Sequence, residues 1–216
     1  MNTSRFAWSL RVIAVVAALG VVCSPAFGER KILQNDSFSG VATFTQLASF
    51  GELEIGAAVF TADAGDYPFR IENIQVLVLS LLPETIGMVS VTVWEDVGTP
   101  MPGQVLHTST FGFQVEGSTT LMNQLDLSCE NVIVTSGSVR VGVVWEYVGD
   151  PIGIGFDLDG ITPGINTVYS APLGGWQFAE TLGVAGDWIF RLEIETDLGA
   201  AAMFADDFER GDQSCW

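Results

Sequence analysis

Two carboxylates and a glycine in the stretch FDLDG, Asp157, Asp159 and Gly160, are the residues of this 216-residue chain whose spacing comes nearest to metal chemistry. Calcium is a hard cation that takes oxygen donors from flexible loops, and a short Asp-x-Asp-Gly run supplies such donors. Counting from Asp157, the twelfth position of a helix-flanked calcium loop would carry an acid, and Val168 stands there. A solvated turn explains the same residues, because Asp and Gly favour turns for backbone reasons alone. Calcium is therefore the one cofactor held open. The second constellation is aromatic: Tyr169, Trp176 and Phe178 in TVYSAPLGGWQF. Rings exposed on a sheet offer flat apolar faces with polar rims that suit sugar stacking. Capping of the core is the competing use of the same rings.

Catalytic chemistry has less to draw on. His107 is the only histidine and Lys31 the only lysine. General base and nucleophile-activating roles fall most often to histidine, which a third group must orient. The nucleophile elbow, the zinc-protease helix motif, the phosphate loop and the dinucleotide fingerprint are all missing. Carboxylates are plentiful, so a hydrolase using a carboxylate pair stands as the alternative to a non-enzymatic binding or structural module.

The start of the chain bears on compartment. Arg5 and Arg11 precede the apolar run from Val12 to Val22, and small residues Ala26 and Gly28 follow. This is the three-part pattern of a cleavable secretory signal, and it predicts a signal peptide over 1–28 with a mature chain from Glu29. The run is too short for a permanent membrane span, which takes about 20 apolar residues, so no transmembrane segment is expected in the mature chain. Cys23 follows Val22, a poor setting for lipidation. Cleavage removes two basic residues and no acid, taking the net charge from −18 to −20. Such a surface repels nucleic acid and anionic lipid, whose binding runs on Lys and Arg contacts. Cys129 and Cys215 remain after export, and whether they pair is open.

The elements that must position these residues read as strands. MVSVTVWED alternates Val89, Val91 and Val93 with Ser90, Thr92 and Trp94. GSVRVGVVWEY alternates Val139, Val141, Val143 and Trp145 with Arg140, Gly142, Val144 and Glu146, and DWIFRLEIE does the same with Trp188, Phe190, Leu192 and Ile194. FRIENIQVLVLSL becomes apolar on both sides, as one central strand would. Turn signals such as GTPMPG, TSGS and VGDP separate the runs. The pattern predicts an all-β, antiparallel sandwich of jelly-roll type over 33–197. A linker and an acidic, aromatic tail occupy 198–216.

The segments LQNDSF, YPFRIENIQVLV, VTVWED, FDLDGITPGINTVY and GGWQFAETLGVAGDWIFRLEIE resemble a group of secreted bacterial proteins with a single β-sandwich domain, over most of residues 33–196. The tail, with Asp207, Phe208, Glu209, Gly211, Asp212, Ser214 and Trp216, resembles an Asp-Gly-Phe-Glu-Ser-Gly-Asp-x-Ser-x-Trp peptide that ends many exported proteins of Gram-negative bacteria. Asp207, Arg210 and Cys215 depart from that pattern. The resemblance implies an exported protein, extracellular, periplasmic or on the cell surface, with the tail as an address. Phe204, Phe208 and Trp216 covering a groove of the domain is the rival reading. The expected function is a non-enzymatic binding or structural module whose partner is a glycan or a cell-surface component.

Overall fold

The computed structural model describes residues 28–39, 48–80, 86–110, 112–118, 121–148 and 152–198. The expected signal peptide, apart from Gly28, and the tail motif lie outside them. The strands are β1 (Arg30–Gln34), β2 (Ala48–Ser49), β3 (Ile55–Phe60), β4 (Phe69–Val76), β5 (Val78–Ser80), β6 (Ile86–Glu95), β7 (Val105–Thr108) and β8 (Phe113–Glu116). They continue with β9 (Asn123–Asp126), β10 (Val132–Val134), β11 (Val139–Val148), β12 (Ile152–Ile154), β13 (Asn166–Ser170), β14 (Gly175–Phe178) and β15 (Phe190–Glu195). Helical structure among the described residues amounts to two 3-10 turns, Ser128–Glu130 and Ala179–Leu182.

Every strand pairing is antiparallel. A five-stranded sheet has the order β1-β15-β4-β10, with β9 also on β4. A seven-stranded sheet has the order β14-β13-β3-β11-β6-β7, with β8 also on β6, and β2-β12-β5 forms a small third sheet. The two large sheets enclose one core, in which Ile71, Ile74, Leu192 and Ile194 of the first meet Val91, Val93, Val141 and Val143 of the second. The protein is thus an all-β sandwich. The valine alternations in β6 and β11 point inward as their phase requires: Val89, Val91, Val93, Val141, Val143 and Trp145 have no exposed surface. The sandwich takes in β1, which begins at Arg30, three residues ahead of the expected boundary at 33.

Two features of FRIENIQVLVLSL depart from the single central strand. The run breaks at Leu77, whose amide donates to the Ile189 carbonyl (3.0 Å) and whose carbonyl accepts from Gly155 (2.8 Å). Its first half lies in the five-stranded sheet and its second half pairs with β12. Before the break, Ile194 faces Ile71 while Glu193 faces Asn73, so Glu72 is an extra residue in β4. This bulge lets Ile71 and Ile74, three apart, both point into the core.

Outside the core, carboxylates neutralise the few cations. Arg30 reaches Glu193 (3.3 Å) and Glu72 (3.5 Å), Arg70 binds Glu72 and Glu195, and Lys31 binds Asp66 (2.5 Å). Arg191 grips the buried Asp36 through Nη2 (2.7 Å) and Nε (3.1 Å). With Arg140 and Asp96 (2.5 Å), each described Lys and Arg has a carboxylate partner.

Candidate functional site

The aromatic residues singled out in the sequence lie on the outer face of the seven-stranded sheet. Val168 points into the core, so strand alternation turns Thr167 and Tyr169 outward. The hairpin from β13 to β14 sets the register, placing Tyr169 opposite Trp176 and Thr167 opposite Phe178. The turn that fixes it ends in Gly174 (φ 89°) and Gly175 (φ 109°), backbone that a side chain strains. Opposed residues of an antiparallel pair share a face. Tyr169 and Trp176 accordingly touch, with centroids 5.5 Å apart and planes tilted by 55°. Phe178 sits one row away on the same face. All three are half-buried.

A fourth ring completes the cluster, and sequence reasoning missed it. Trp94 of β6 meets Trp176 edge to face, at 5.6 Å and 83°. In the sheet order β6 is four strands from β14. Four spacings of a flat sheet amount to about 19 Å, more than two indole side chains span, so the contact requires the sheet to curl over this face. Small residues beneath the rings make room. Thr167, Ala57, Gly142 and Thr92 form one row across β13, β3, β11 and β6. A Cβ on Gly142 would lie 2.8 Å from the Trp94 ring and 3.0 Å from Ala57 Cβ. Trp94 is only 7% exposed and supports Trp176 from below. The ligand-accessible rings are thus Tyr169, Trp176 and Phe178.

Trp94 is itself set by its neighbour in the same row, Arg140, which lies between Val59 and Trp94. A cation on a strand facing away from the core ordinarily reaches solvent, yet Arg140 is fully buried. Its guanidinium turns under the loop after β6, where Nη2 donates to Asp96 Oδ1 (2.5 Å) and the Thr99 carbonyl (2.8 Å) and Nη1 to the Pro100 carbonyl (2.5 Å). Burial pulls its pKa below the ordinary arginine value, against the opposing pull of Asp96.

Asp157 and Asp159 occupy a different part of the molecule. Asp157 follows β12 and is buried; Asp159 is exposed. Both carboxylate oxygens of Asp157 are engaged: Oδ2 accepts from the Ser37 amide (2.8 Å) and hydroxyl (3.3 Å), and Oδ1 from the Asp187 amide (2.9 Å). It thereby ties the segment after β1 to the approach to β15. The crossing is close enough that a Cβ on Gly186 would lie 1.7 Å from the Asp157 carbonyl oxygen. Asp187 continues the network by accepting from Thr162 and Asn166. Asp157 and Asp159 line a cavity of about 300 Å³ with Ser37, Ser39 and Phe38. Among the described residues no group of three or more His, Cys, Asp and Glu side chains is placed to hold a metal ion. His107, on β7, faces Glu130 at 3.7 Å.

Burial raises the pKa of Asp157 above 3.8, with the adjoining Asp159 carboxylate pushing the same way against the Ser37 and Asp187 amides. A carboxyl whose folded pKa is raised binds its proton more tightly in the native state. Its contribution to stability is present below the unfolded value and is lost as pH rises through the folded one. Asp159→Asn removes the charge that adds to the shift. Urea midpoints taken from pH 4 to pH 7 are expected to fall less steeply for this variant than for the parent chain, and parallel curves would show that the pair is uncoupled.

Comparisons with known protein families, with curated proteins and with solved structures give no match to this chain. The class that the fold and the outer face define is an antiparallel β-sandwich with an aromatic cluster on one sheet.

Proposed function

We propose that this protein is an exported, non-enzymatic binding module that stacks a sugar ring on Tyr169 and Trp176. The observation that carries the reading is the pair's placement: half-buried rings on an outer sheet face, locked in register by a tight hairpin and backed by Trp94. Rings fixed before a ligand arrives lose little freedom on binding. A net charge of −18 over the whole chain favours a neutral or cationic glycan over an acidic one. Export to the periplasm, cell surface or medium is supported by the leader sequence and by Cys129, which is disulfide-bonded, a state that persists in oxidising compartments. The tail motif acts in this reading as an address.

We also read the sandwich as a jelly roll. The first strand pairs with the last, and β1-β15-β4-β10 faces β3-β11-β6-β7, which is the interleaving that two Greek keys produce. On this reading β13 and β14, which carry the rings, are a hairpin added at the β3 edge.

A glycan array on the mature chain, run with and without calcium, tests the binding. Hits that lose about tenfold or more in affinity in each of Trp176→Ala and Tyr169→Ala, equivalent to about 1.4 kcal/mol, are the expected result. An array without hits, or hits indifferent to both variants, would reject the platform. Calcium-dependent hits lost in Asp159→Asn would move the site to the Asp157 cavity. Hydrolysis by paired carboxylates is the second reading, favoured by that cavity alone. It predicts release of reducing sugar by the parent chain and none by Asp159→Asn.

A further inference from the structure

We infer that the protein forms a twofold dimer in which β7, at one edge of the seven-stranded sheet, pairs with the same strand of a second copy. β7 ends the sheet order with β6 on one side only. Among the described residues, the backbone groups on its far side have no strand partner. An open edge is a template for another chain, and proteins ordinarily blunt it, most often with charged side chains. β1, which ends the five-stranded sheet, carries Arg30 and Lys31 for this purpose. β7, with the sequence Val-Leu-His-Thr, carries no Lys, Arg, Asp or Glu, and its one irregularity is the bulge at Leu106.

The edge is apolar as well as open. Val97, Met101, Val105 and Leu106 are 54%, 66%, 52% and 40% exposed, four large hydrophobic residues within ten positions. Val105 lies opposite Trp94 and shares its face of the sheet. A Cβ on Gly103 would lie 2.9 Å from Val97 Cγ1, so the loop folds Val97 back over the approach to β7. Residues 97–115 contain no Lys, Arg, Asp or Glu, in a chain with 26 acids.

That absence of charge identifies the occupant. A cationic partner gains nothing on this surface, whereas a second copy, itself at −18, meets its least repulsion there. Antiparallel pairing of a strand with itself about a twofold axis satisfies both open edges at once and makes each apolar contact twice. The other long uncharged run, 160–179, holds the ring hairpin at the opposite edge of the sheet, where only Leu173 is an exposed large hydrophobic residue.

The loop before β7 is also fixed in shape. Arg140 fastens it through Asp96 and the Thr99 and Pro100 carbonyls. Within it the Thr99 hydroxyl donates to the Met101 carbonyl (2.7 Å), and the Gly103 amide to the Glu95 carbonyl (2.9 Å). A buried ion pair adds little stability over apolar residues of the same volume. A fully buried guanidinium that fixes an exposed apolar loop is better explained by what the loop meets, since a surface set beforehand loses little freedom when a partner docks.

Sedimentation equilibrium of the purified chain tests the dimer, with reductant present so that Cys129, which is disulfide-bonded, makes no link between copies. The expected result is a reversible monomer–dimer equilibrium that tightens as salt is added, because salt screens the repulsion between acidic copies outside the patch. Leu106→Lys and Met101→Glu are each expected to raise the dissociation constant about tenfold or more, as a twofold axis sets each substitution in the interface twice. Leu121→Lys, at an exposed leucine outside the patch, is expected to leave it unchanged. Amide hydrogen exchange on the parent chain needs no variant: residues 105–108 are expected to slow as the chain concentration rises, and β1 and β14 to stay as they are. A monomer at every concentration would overturn the inference. So would a dimer that salt weakens, a dimer indifferent to both substitutions, or protection that falls on β1 or β14 instead.

Discussion

Trp188→Ala is expected to destabilise the fold by about 3–5 kcal/mol, the range in which loss of a large buried aromatic falls. Trp188 has no exposed surface. Its ring meets Phe50 and Phe156, each with centroids 6.2 Å away, and Phe50 in turn stacks on Trp145 at 5.7 Å. Four aromatic rings therefore close this end of the core as a unit. The residue's backbone bridges to Phe156 and precedes β15 by two positions, so neighbouring chain cannot collapse into the vacated volume without breaking that pairing. Equilibrium urea unfolding checks the value. The midpoint is expected to fall with an unchanged slope, since slope follows the surface exposed on unfolding. A loss under about 1 kcal/mol would mean that the ring contributes little packing. Trp188→Phe keeps most of the volume and is expected to recover more than half of the loss.

That Trp188 belongs to the core was legible from DWIFRLEIE, because a two-residue period with Phe190, Leu192 and Ile194 leaves it one phase to take. Val89 to Val93 and Val139 to Trp145 were legible for the same reason. The break at Leu77 was not. Leu77 and Leu79 are buried in a satellite cluster with Ile189, so the run stays apolar while it changes sheets, and periodicity carries no mark of the change. The bulge at Glu72 was hidden likewise, since Ile71 and Ile74 are separated by a helical rather than a strand spacing. At the candidate site, Tyr169, Trp176 and Phe178 could be found because all three fall in one twelve-residue stretch, 167–178, and the hairpin is local. Trp94 could not, because its contact with Trp176 depends on the curl of a sheet whose strand order is set by distant pairings. Asp157 read as a calcium ligand or a solvated turn residue. Its burial depends on Ser37 and Asp187, at sequence separations of 120 and 30 residues.

Arg140 is the strongest case of a residue whose sequence phase misleads, and its replacement by methionine is expected to cost about 3–5 kcal/mol. On the alternation of β11 it belongs with Gly142 and Glu146 on the outer face, where arginine ordinarily keeps its head in water. Instead it is sealed beneath the loop from Asp96 to Pro100 and supplies the donors for one carboxylate and two carbonyls. Methionine matches the stem in volume, so packing changes little. What is lost is the charge, leaving Asp96, whose side chain is 13% exposed, without its partner. Lysine at this position is expected to recover only part of the loss, because one ammonium cannot present the planar fork that meets three acceptors. The double variant Arg140→Met with Asp96→Asn is expected to be more stable than Arg140→Met alone, since it removes the stranded charge, and urea unfolding of the four chains gives the coupling directly. Additive losses would show that the pair contributes no interaction energy. The consequence extends to the rings. Arg140 shares a row with Trp94, and Trp94 supports Trp176, so the same substitution is expected to weaken ligand binding at Tyr169 and Trp176 while leaving both residues in place. A chain that loses stability yet binds its glycan undiminished would separate the loop from the platform and leave Gly142 and Ala57 as what seats the Trp94 ring.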